Sequence, residues 1–489
     1  MIDPAVEQQI VNAVPKQLFI GGAWVEANGG ATFQVVDPST GEALCSVADA
    51  SPEDGMRALE AASRAQSAFA AVPPRQRADM LMSAFRLLHE RMDNLALLIT
   101  LEMGKPLAES RGEVAYAAEF FRHFAEEAVR ISGGYQVAPD GGARFLVARQ
   151  PVGPSLLITP WNFPMAMGAC EIGPAIAAGC AVVIKPSSQT PLSMLALVDI
   201  LREAGVPDGV VNLVTTTQAA KVMESQIRSG LARKLSFTGS AAVGRRLLEQ
   251  CADKVLRTSM ELGGNAAFIV FPDADLDAAV DGALVAKTRN AGQSCTAANR
   301  FYVHADVLEE FGRLLARRMD ELPMGRGVED GARIGPLIHE AARDNVQSLI
   351  DDAVARGARL LTGGKATGGE GCFYPPTVLT HVPQSARMRH EDIFGPVAAI
   401  SSFTTENEVI AAANDTEYGL VSYLYTNDIK RALRIADALE CGMVGLNQGA
   451  VANAAAPFGG VKASGLGREG GQVGINEFLE TKYIAIALD

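Results

Sequence analysis

The sequence predicts an α/β fold with two doubly wound parallel sheets, and three observations support this prediction. Short apolar runs alternate with helical stretches from Ser155 to Gln250. A second alternation of the same kind begins at Ala266 and ends near Val444. The chain has 489 residues, which is enough for about three domains of roughly 150 residues each. Apolar strands that alternate with helices form parallel sheets buried on both faces, and such sheets bind ligands beyond the carboxyl ends of their strands.

A helix-rich segment from Pro52 to about His123 precedes the first alternation. Ala, Leu, Arg and Glu recur there at amphipathic spacing, and Pro73-Pro74 and Gly104-Lys105-Pro106 interrupt the pattern. Within the first alternation we predict strands at 156–158, 181–184, 210–214 and 234–237, and helices at 166–178, 192–204, 219–229 and 242–250.

Two further segments, 144–149 and 482–487, alternate apolar and polar residues and are predicted to be strands outside either sheet. Exposed strands of this kind pair with another subunit, or they lie as a local hairpin on their own domain. The pattern alone favours neither arrangement.

Composition and charge narrow the classes of function. A hydrophobic content of 48% and a charged content of 20% are typical of a globular protein with a large core. The net charge of −13 argues against a nucleic-acid or anionic-membrane partner, since both need clustered Lys and Arg. The most apolar run, 175–184, is too short for a bilayer core of about 30 Å, and we see no secretory signal. The seven cysteines show no Cys-x-x-Cys spacing, which indicates reduced thiols and a cytoplasmic location. The histidines show no ligand spacing, so no metal site is expected.

The strongest candidates for catalysis are Cys295 and Glu261. Cys295 lies among small residues in Gly-Gln-Ser-Cys-Thr, so its sulfur is open to attack a carbonyl, and Glu261 precedes a Gly-Gly bend. A buried core cysteine and a surface glutamate are the alternative. Asn162 follows a predicted strand between two prolines, where a rigid amide can stabilise an oxyanion or can bond its own backbone.

Two turns after predicted strands suit a phosphate or ribose. Lys185-Pro186-Ser187-Ser188 offers an ammonium and two hydroxyls, and Gly239-Ser240 opens a helix whose N–H groups and dipole favour a pyrophosphate. Most Gly-Ser turns only connect elements, and this one is not a Gly-x-Gly-x-x-Gly fingerprint.

Six motifs resemble the NAD(P)-dependent aldehyde dehydrogenase superfamily in order and spacing, over nearly the whole chain. They are Trp161-Asn162-Phe163-Pro164, Phe237-Thr238-Gly239-Ser240, Glu261-Leu262-Gly263-Gly264-Asn265, Gly292-Gln293-Ser294-Cys295, Phe394-Gly395-Pro396 and Pro457-Phe458-Gly459-Gly460.

The resemblance implies three domains. These are a cofactor-binding domain of residues 1–130 and 149–260, a catalytic domain of residues 261–445, and a β flap of residues 131–148 and 470–489. The flap implies assembly into homodimers or homotetramers. Aldehyde would be oxidised to acid through a hemithioacetal and a thioester, with hydride transfer to NAD(P)+.

The resemblance also implies residue roles. Cys295 resembles the nucleophile, Glu261 the base, and Asn162 the oxyanion donor together with the Cys295 main-chain N–H. Because a free thiol is only a few per cent thiolate at neutral pH, either the site lowers its pKa or a base takes its proton. The implied cofactor contacts are Trp161, Lys185, Pro186, Ser187, Ser188, Gly239, Ser240, Leu262, Asp392 and Phe394.

Within the superfamily, the runs 457–470 and 289–293 resemble succinate-semialdehyde dehydrogenases. That resemblance implies succinic semialdehyde as the substrate, with Arg289 binding its distal carboxylate as a bidentate guanidinium can. Two departures keep less polar aliphatic or aromatic aldehydes open. Cys170 stands where this subfamily has a second carboxylate-binding arginine, and the loop 449–456 is alanine-rich where it has a serine.

The sequence also predicts the cofactor and disfavours two alternative functions. Asp392 replaces the usual Glu at the nicotinamide ribose, and Ser188 stands where NAD-preferring members have a glutamate. We therefore expect NADP, with NAD also usable. A coenzyme A-acylating enzyme is disfavoured because Glu261 would hydrolyse the thioester. A catalytically silent relative is disfavoured because Cys295, Glu261 and Asn162 are all present.

Overall fold

The computed structural model describes residues 2–487 and contains both predicted sheets, a separate three-stranded sheet and a two-stranded ribbon. Residues 1, 488 and 489, which the predicted domain ranges include, lie outside the described residues.

The segment before the first large alternation is mostly helical, as predicted. Ser51 and Asp54 form a capping box at the start of the first long helix, and Gly104 ends another with a left-handed φ of 92°. The elements are α1 (Pro4–Ala13), β1 (Leu18–Ile20), β2 (Ala23–Val25), β3 (Thr32–Val36), β4 (Ala43–Ala48), α2 (Pro52–Ala70), α3 (Pro74–Glu90), α4 (Met92–Met103) and α5 (Leu107–Ala128).

The next part of the chain alternates strands and helices. Each predicted strand and helix between 155 and 250 is confirmed, with bounds that differ by a few residues. The elements are β5 (Gly134–Val137), β6 (Ala143–Pro151), β7 (Ser155–Ile158), α6 (Pro164–Ala178), β8 (Val182–Lys185), α7 (Leu192–Glu203), β9 (Val211–Leu213), α8 (Ala219–Arg228), β10 (Lys234–Thr238), α9 (Ala241–Ala252) and β11 (Arg257–Glu261).

The remaining chain forms the second sheet and its helices, followed by a glycine-rich tail. The elements are β12 (Ala266–Val270), α10 (Leu276–Thr288), β13 (Ala298–His304), α11 (Leu308–Asp320), α12 (Glu340–Ala355), β14 (Arg359–Thr362), β15 (Thr377–Thr380), β16 (Val397–Phe403), α13 (Glu406–Asn414), β17 (Val421–Tyr425), α14 (Ile429–Ala438), β18 (Met443–Leu446), β19 (Gly465–Leu466), α15 (Gly471–Gly474) and β20 (Leu479–Ala487). Short 3-10 helices lie at Asn28–Gly30, Arg289–Gly292, Arg387–Arg389, Lys462–Ser464 and Ile475–Phe478.

The first large sheet has the strand order β19-β11-β10-β7-β8-β9-β1-β2. Its five central strands are parallel, whereas the edge strands β1, β2 and β19 run antiparallel to their neighbours and were not predicted. Leu157 belongs to one apolar cluster, and Leu156 and Ile158 belong to another. Successive residues of β7 therefore face opposite sides, and both faces of the sheet are buried.

The second large sheet has the order β14-β15-β16-β13-β12-β17-β18 and is parallel except at β14. Phe268 and Ile269 enter different apolar clusters, so this sheet is also covered on both faces. The predicted fold class is confirmed. The division of the chain into the three predicted domains stays a prediction.

The predicted strands at 144–149 and 482–487 lie within β6 and β20. They pair antiparallel with each other, and β5 adds a third strand, so they lie outside both large sheets as expected. Tyr135 and Tyr483 are exposed on this small sheet. Its pairing with another subunit stays a prediction. Between residues 2 and 487, no helix is both long enough and apolar enough to cross a membrane.

Candidate active site

The carboxyl ends of four neighbouring strands bring the first candidate residues to one edge of the first sheet. β7 leads into the turn with Asn162, β8 ends at Lys185, β10 leads into Gly239, and β11 ends at Glu261. Thr238 and Glu261 are paired in register across β10 and β11. This is the edge at which open parallel sheets bind ligands.

A cavity of about 320 Å³ opens at this edge, between the two large sheets, and it gathers the predicted catalytic residues. Cys295, Glu261, Asn162 and Arg289 all line it. Six of the predicted cofactor contacts line the same cavity, namely Trp161, Gly239, Ser240, Leu262, Asp392 and Phe394. The other four, Lys185, Pro186, Ser187 and Ser188, do not line it. The chemical roles of these residues stay predictions.

The loop before Cys295 has an uncommon backbone. Asn290, Ala291 and Gly292 have φ values of 52°, 53° and 76°, in the left-handed region. A side chain on Gly292 would collide with the carbonyl oxygen of Gly395, so glycine is required for both reasons. Left-handed non-glycine residues cost about 1–3 kcal/mol each and are concentrated at functional sites.

Glu261 lies close to this loop because two glycines, Gly263 and Gly264, follow it in the sequence. A side chain on Gly264 would meet the main-chain carbonyl of Cys295, which shows how closely the two segments pack. Glu261 is buried, and its Oε2 atom has no hydrogen-bond partner among the described residues. An unpaired buried carboxyl oxygen that faces a cavity is available to water or to a ligand.

Hydrogen bonds fix both the main-chain oxygen and the side-chain amide of Asn162. Its main-chain oxygen accepts hydrogen bonds from Lys105 Nζ at 2.6 Å and from Asn290 Nδ2 at 3.0 Å. Its side-chain amide donates to the Gln293 carbonyl at 3.1 Å rather than to its own turn. Because an amide has two N–H donors, the second remains for an oxyanion in the cavity.

Burial and nearby carboxyl groups set the protonation of Cys295 and Glu261. Burial, with Glu261 and Glu469 close by, raises the pKa of the Cys295 thiol to about 12, although Arg289 acts in the opposite direction. Burial, Glu469 and Glu171 raise the pKa of Glu261 well above its usual range. The surroundings therefore do not lower the thiol pKa, and of the two routes to a thiolate they favour removal of the proton by a base.

Arg289 supplies a positive charge to the cavity wall. Its guanidinium lies 4.7 Å from the centre of the Phe163 ring, and both residues line the cavity. Among residues 2–487, no carboxylate lies within ion-pair distance of this guanidinium. Glu109 interacts electrostatically with Arg289 without reaching ion-pair distance, so the stacked guanidinium keeps donors that suit a carboxylate or phosphate ligand.

Cys170 does not line this cavity. It lies in α6, and its buried thiol donates to Glu469 Oε2 at 3.1 Å. The residue of α6 that faces the cavity is Met167. The position where the resembling subfamily has an arginine therefore carries no charge here.

Lys185 and the start of α9 offer donors at this sheet edge. Lys185 is buried, burial lowers its pKa to about 8, and no described residue accepts a hydrogen bond from its ammonium. Ser240 is the N-cap of α9, and its hydroxyl accepts a hydrogen bond from the Val243 N–H. The positive, N-terminal end of the α9 dipole therefore faces the Gly239 turn. Both features suit an anionic, hydroxyl-rich ligand.

Ser188 lines a second cavity of about 660 Å³, together with Gln189 and Thr217. Ser187 accepts a hydrogen bond from the Gln189 main chain at 3.3 Å. The Lys185–Ser188 turn thus lies beside the catalytic cavity rather than in it.

Some lining residues were not predicted from the sequence. Tyr116 and Met167 line the cavity without a local motif that marks them, whereas Phe458 lies in a named motif but was given no role. Ala452 also lines it, so the alanine-rich loop 449–456 reaches the cavity that contains Cys295. Between residues 2 and 487, no group of three or more His, Cys, Asp or Glu side chains is arranged to hold a metal ion.

Comparison with known proteins assigns the family. The model of the aldehyde dehydrogenase family matches residues 24–484, and the chain belongs to that family. It is 53% identical to a succinate-semialdehyde dehydrogenase of Paenarthrobacter nicotinovorans, over 91% of this chain and 99% of that protein. It is 49% identical to a glutarate-semialdehyde dehydrogenase of Pseudomonas putida, over 97% and 98% of the two chains.

A solved structure, described as an NADP-dependent enzyme of E. coli, superimposes with a TM-score of 0.96. It is 49% identical to this chain, and the match covers 98% of this chain and 99% of the other. The predicted resemblance and the predicted class of enzyme, an oxidoreductase of the aldehyde dehydrogenase family, are confirmed.

Proposed function

We propose that this protein oxidises a semialdehyde with a distal carboxylate, such as succinic semialdehyde, to the dicarboxylic acid with NADP+. The unpaired Arg289 guanidinium carries this proposal, because it lies in the same cavity as Cys295, Glu261 and Asn162. The similarity to a succinate-semialdehyde dehydrogenase and a glutarate-semialdehyde dehydrogenase supports a substrate with a carboxylate at one end and an aldehyde at the other.

In the proposed mechanism, the Cys295 sulfur forms a bond to the aldehyde carbon. Burial keeps the proton on the sulfur at neutral pH, so a water molecule removes it and passes it to solvent, and Glu261 acts later, in hydrolysis. The Asn162 amide and the Cys295 main-chain N–H bind the resulting oxyanion, and one such donor typically contributes about 3–4 kcal/mol. Collapse of the oxyanion breaks the C–H bond, releases hydride and leaves a thioester on Cys295.

Hydrolysis then frees the enzyme. Glu261 removes a proton from water, the hydroxide adds to the thioester carbon, and the C–S bond breaks to release the acid and the thiolate, which then takes the proton back from Glu261. Positioned general bases contribute about 10²–10⁴ in rate. The overall reaction consumes one aldehyde, one oxidised cofactor and one water, and it yields the acid, the reduced cofactor and a proton.

The proposed cofactor is NADP+, with NAD+ also usable. When bound, it supplies the hydride acceptor. Lys185, Ser187 and Ser188 would hold the adenosine ribose and its phosphate, and Gly239 and Ser240 the pyrophosphate. Asp392 would hold the nicotinamide ribose, and Trp161, Pro186, Leu262 and Phe394 would complete the walls. The solved E. coli relative, described as NADP-dependent, supports this choice.

A less polar aldehyde is the second candidate substrate, and the cavity wall favours it. Met167, Phe458 and Ala452 are apolar, and Cys170 provides no second charge. Arg289 is then the only guanidinium lining the cavity among residues 2–487.

One steady-state assay separates these functions. The purified protein is mixed with NADP+ and either succinic semialdehyde, glutaric semialdehyde, hexanal or benzaldehyde, and reduced cofactor is followed at 340 nm. We expect the largest kcat/KM for a semialdehyde and no requirement for coenzyme A. A larger kcat/KM for hexanal would favour the second candidate, and a strict need for coenzyme A would refute the hydrolytic role of Glu261.

We further propose that the subunits form a homodimer or homotetramer in the cytoplasm. Tyr135, Tyr483 and Ile486 are exposed on the small sheet, and its outer strands have unpaired edges. The cysteines of the described residues are free thiols, as expected in a reducing compartment. Light scattering of the purified protein would contradict the assembly if it gave the mass of one subunit.

A further inference from the structure

Asp392 presents its two carboxyl oxygens to different surroundings. Oδ1 accepts a hydrogen bond from the Asn299 side-chain amide at 2.9 Å. Oδ2 lies beside Gly263, and both Asp392 and Gly263 line the catalytic cavity. Asn299 therefore ties one oxygen to β13, a main-chain hydrogen bond from Phe394 also reaches the carboxylate, and the carboxylate lines the cavity.

Asn299 connects this carboxylate to a buried lysine. Its side-chain oxygen accepts a hydrogen bond from Lys287 Nζ at 2.8 Å, and both side chains are buried. An ammonium only donates and a carboxylate only accepts, so the Asn299 amide can have only one orientation between them. Lys287 is fully buried in α10 and makes no direct ion pair among residues 2–487.

We propose that Lys287 and Asn299 are positioning residues that keep the Asp392 carboxylate charged and directed into the cavity. In this way they set the affinity for the nicotinamide ribose of the dinucleotide. The inference rests on the proposed function, in which Asp392 contacts that ribose. A shorter acid than the usual glutamate has less reach, so its orientation matters more.

The electrostatics of the three groups agree with this arrangement. Burial raises the pKa of Asp392 to about 6, whereas Asn299 and Lys287 act to lower it. Burial lowers the pKa of Lys287 to about 7, whereas Asp392 acts to raise it. Each charge therefore supports the other in a region that disfavours both.

Among the described residues, Cys295 and Tyr418 also interact with Asp392. The pKa values of Cys295 and Tyr418 are raised, so both groups are neutral below pH 8. They therefore do not determine how cofactor affinity changes at acidic pH. As the pH falls through the pKa of Asp392, the carboxylate gains a proton and the affinity for cofactor should fall. Without Lys287 that pKa rises, so the loss of affinity should begin at a higher pH.

The test measures cofactor binding without aldehyde. NADP+ is titrated into the wild-type protein, Lys287→Met and Lys234→Met between pH 5.5 and 8, and quenching of tryptophan fluorescence gives Kd. Trp161 lines the cavity and is one of two tryptophans in the chain. Lys234 is the matched control, because it is also fully buried but bonds Ser259 and does not line the cavity.

We expect Lys287→Met to raise Kd about tenfold at pH 7, the change that corresponds to 1.4 kcal/mol, and to move the acid side of the profile to higher pH. Lys234→Met should change Kd by less than about twofold, because the hydrogen bond to Ser259 that it removes does not contact the cavity and should not affect the free energy of cofactor binding. An unchanged Kd and profile for folded Lys287→Met would overturn the inference.

A double-mutant cycle identifies the route of the effect. In an Asp392→Asn background, Lys287→Met should weaken binding no further, whereas fully additive losses would overturn the inference. If Lys287→Met does not fold, Asn299→Ala breaks the same connection and should also weaken binding severalfold. Failure of the wild-type protein to bind either dinucleotide would instead refute the proposed function itself.

Discussion

Replacement of Arg289 by alanine tests how the substrate is chosen. The Arg289 guanidinium lines the catalytic cavity, stacks on Phe163 at 4.7 Å and interacts electrostatically with Glu109 without forming an ion pair among the described residues. A hydrogen bond to a charged group contributes about 1.5–3 kcal/mol, which corresponds to about 10- to 150-fold in affinity. Arg289 is partly exposed, so solvent screening places the expected loss near the lower end, about tenfold to thirtyfold.

The assay compares kcat/KM for succinic semialdehyde and hexanal in the same preparations. Arg289→Ala should lose the expected factor for the semialdehyde and less than about threefold for hexanal, because hexanal has no carboxylate to bind. Arg289→Lys keeps the positive charge but loses the bidentate guanidinium. Its kcat/KM for succinic semialdehyde should lie between those of the wild-type protein and Arg289→Ala. Arg333→Ala is the matched control, since Arg333 lies near Arg289 in a neighbouring cavity but does not line the catalytic one. Equal losses for both aldehydes would refute the carboxylate-binding role of Arg289.

Three further predictions concern the base, the oxyanion donor and the cofactor. Asn162→Ala removes the amide that faces the cavity and should lower kcat about 10²–10³-fold with a small change in cofactor Kd; a kcat near the wild-type value would exclude it as the oxyanion donor. The pKa of Glu261 is raised by burial and by Glu469, so activity should fall as the pH decreases through that raised pKa. Glu469→Gln removes one of these causes and should move the acid side of the pH–rate profile to lower pH; an unmoved profile would contradict the electrostatic argument. Ser188→Glu places a carboxylate near the proposed 2′-phosphate and should raise the KM for NADP+ about tenfold relative to that for NAD+, since like charges repel. An unchanged ratio of the two KM values would place the phosphate elsewhere.

Most of the parallel strands could be predicted from the sequence, because they are buried on both faces and appear as continuous apolar runs; the parallel strand β11, with the sequence RTSME, was not predicted. Leu156–Ile158 and Ala266–Val270 are examples of such apolar runs. The edge strand Gly465–Leu466 was not predictable, because two residues in a glycine-rich tail carry no strand pattern. It forms only by pairing with β11, some 200 positions earlier in the chain.

The candidate site was predictable where a motif marks it. Cys295, Glu261 and Asn162 were found through their neighbours in sequence, and the structure brings all three to one cavity. The supporting residues were not found, because their importance depends on contacts between distant elements. Lys105 is an example. It lies in a helix break and looks like a solvent-exposed charge, yet it is buried and holds the Asn162 carbonyl.

The central claim is that Cys295 carries the acyl group between oxidation and hydrolysis. Glu261→Gln should complete the oxidation step and stall before hydrolysis, so one equivalent of reduced cofactor should appear per site with little turnover after it. Mass spectrometry of the acid-quenched variant, after mixing with NADP+ and succinic semialdehyde, measures the intermediate directly. The account predicts a succinyl group on the peptide that contains Cys295 and none when Cys295 is replaced by alanine. A burst of reduced cofactor with no acyl group on that peptide would contradict it.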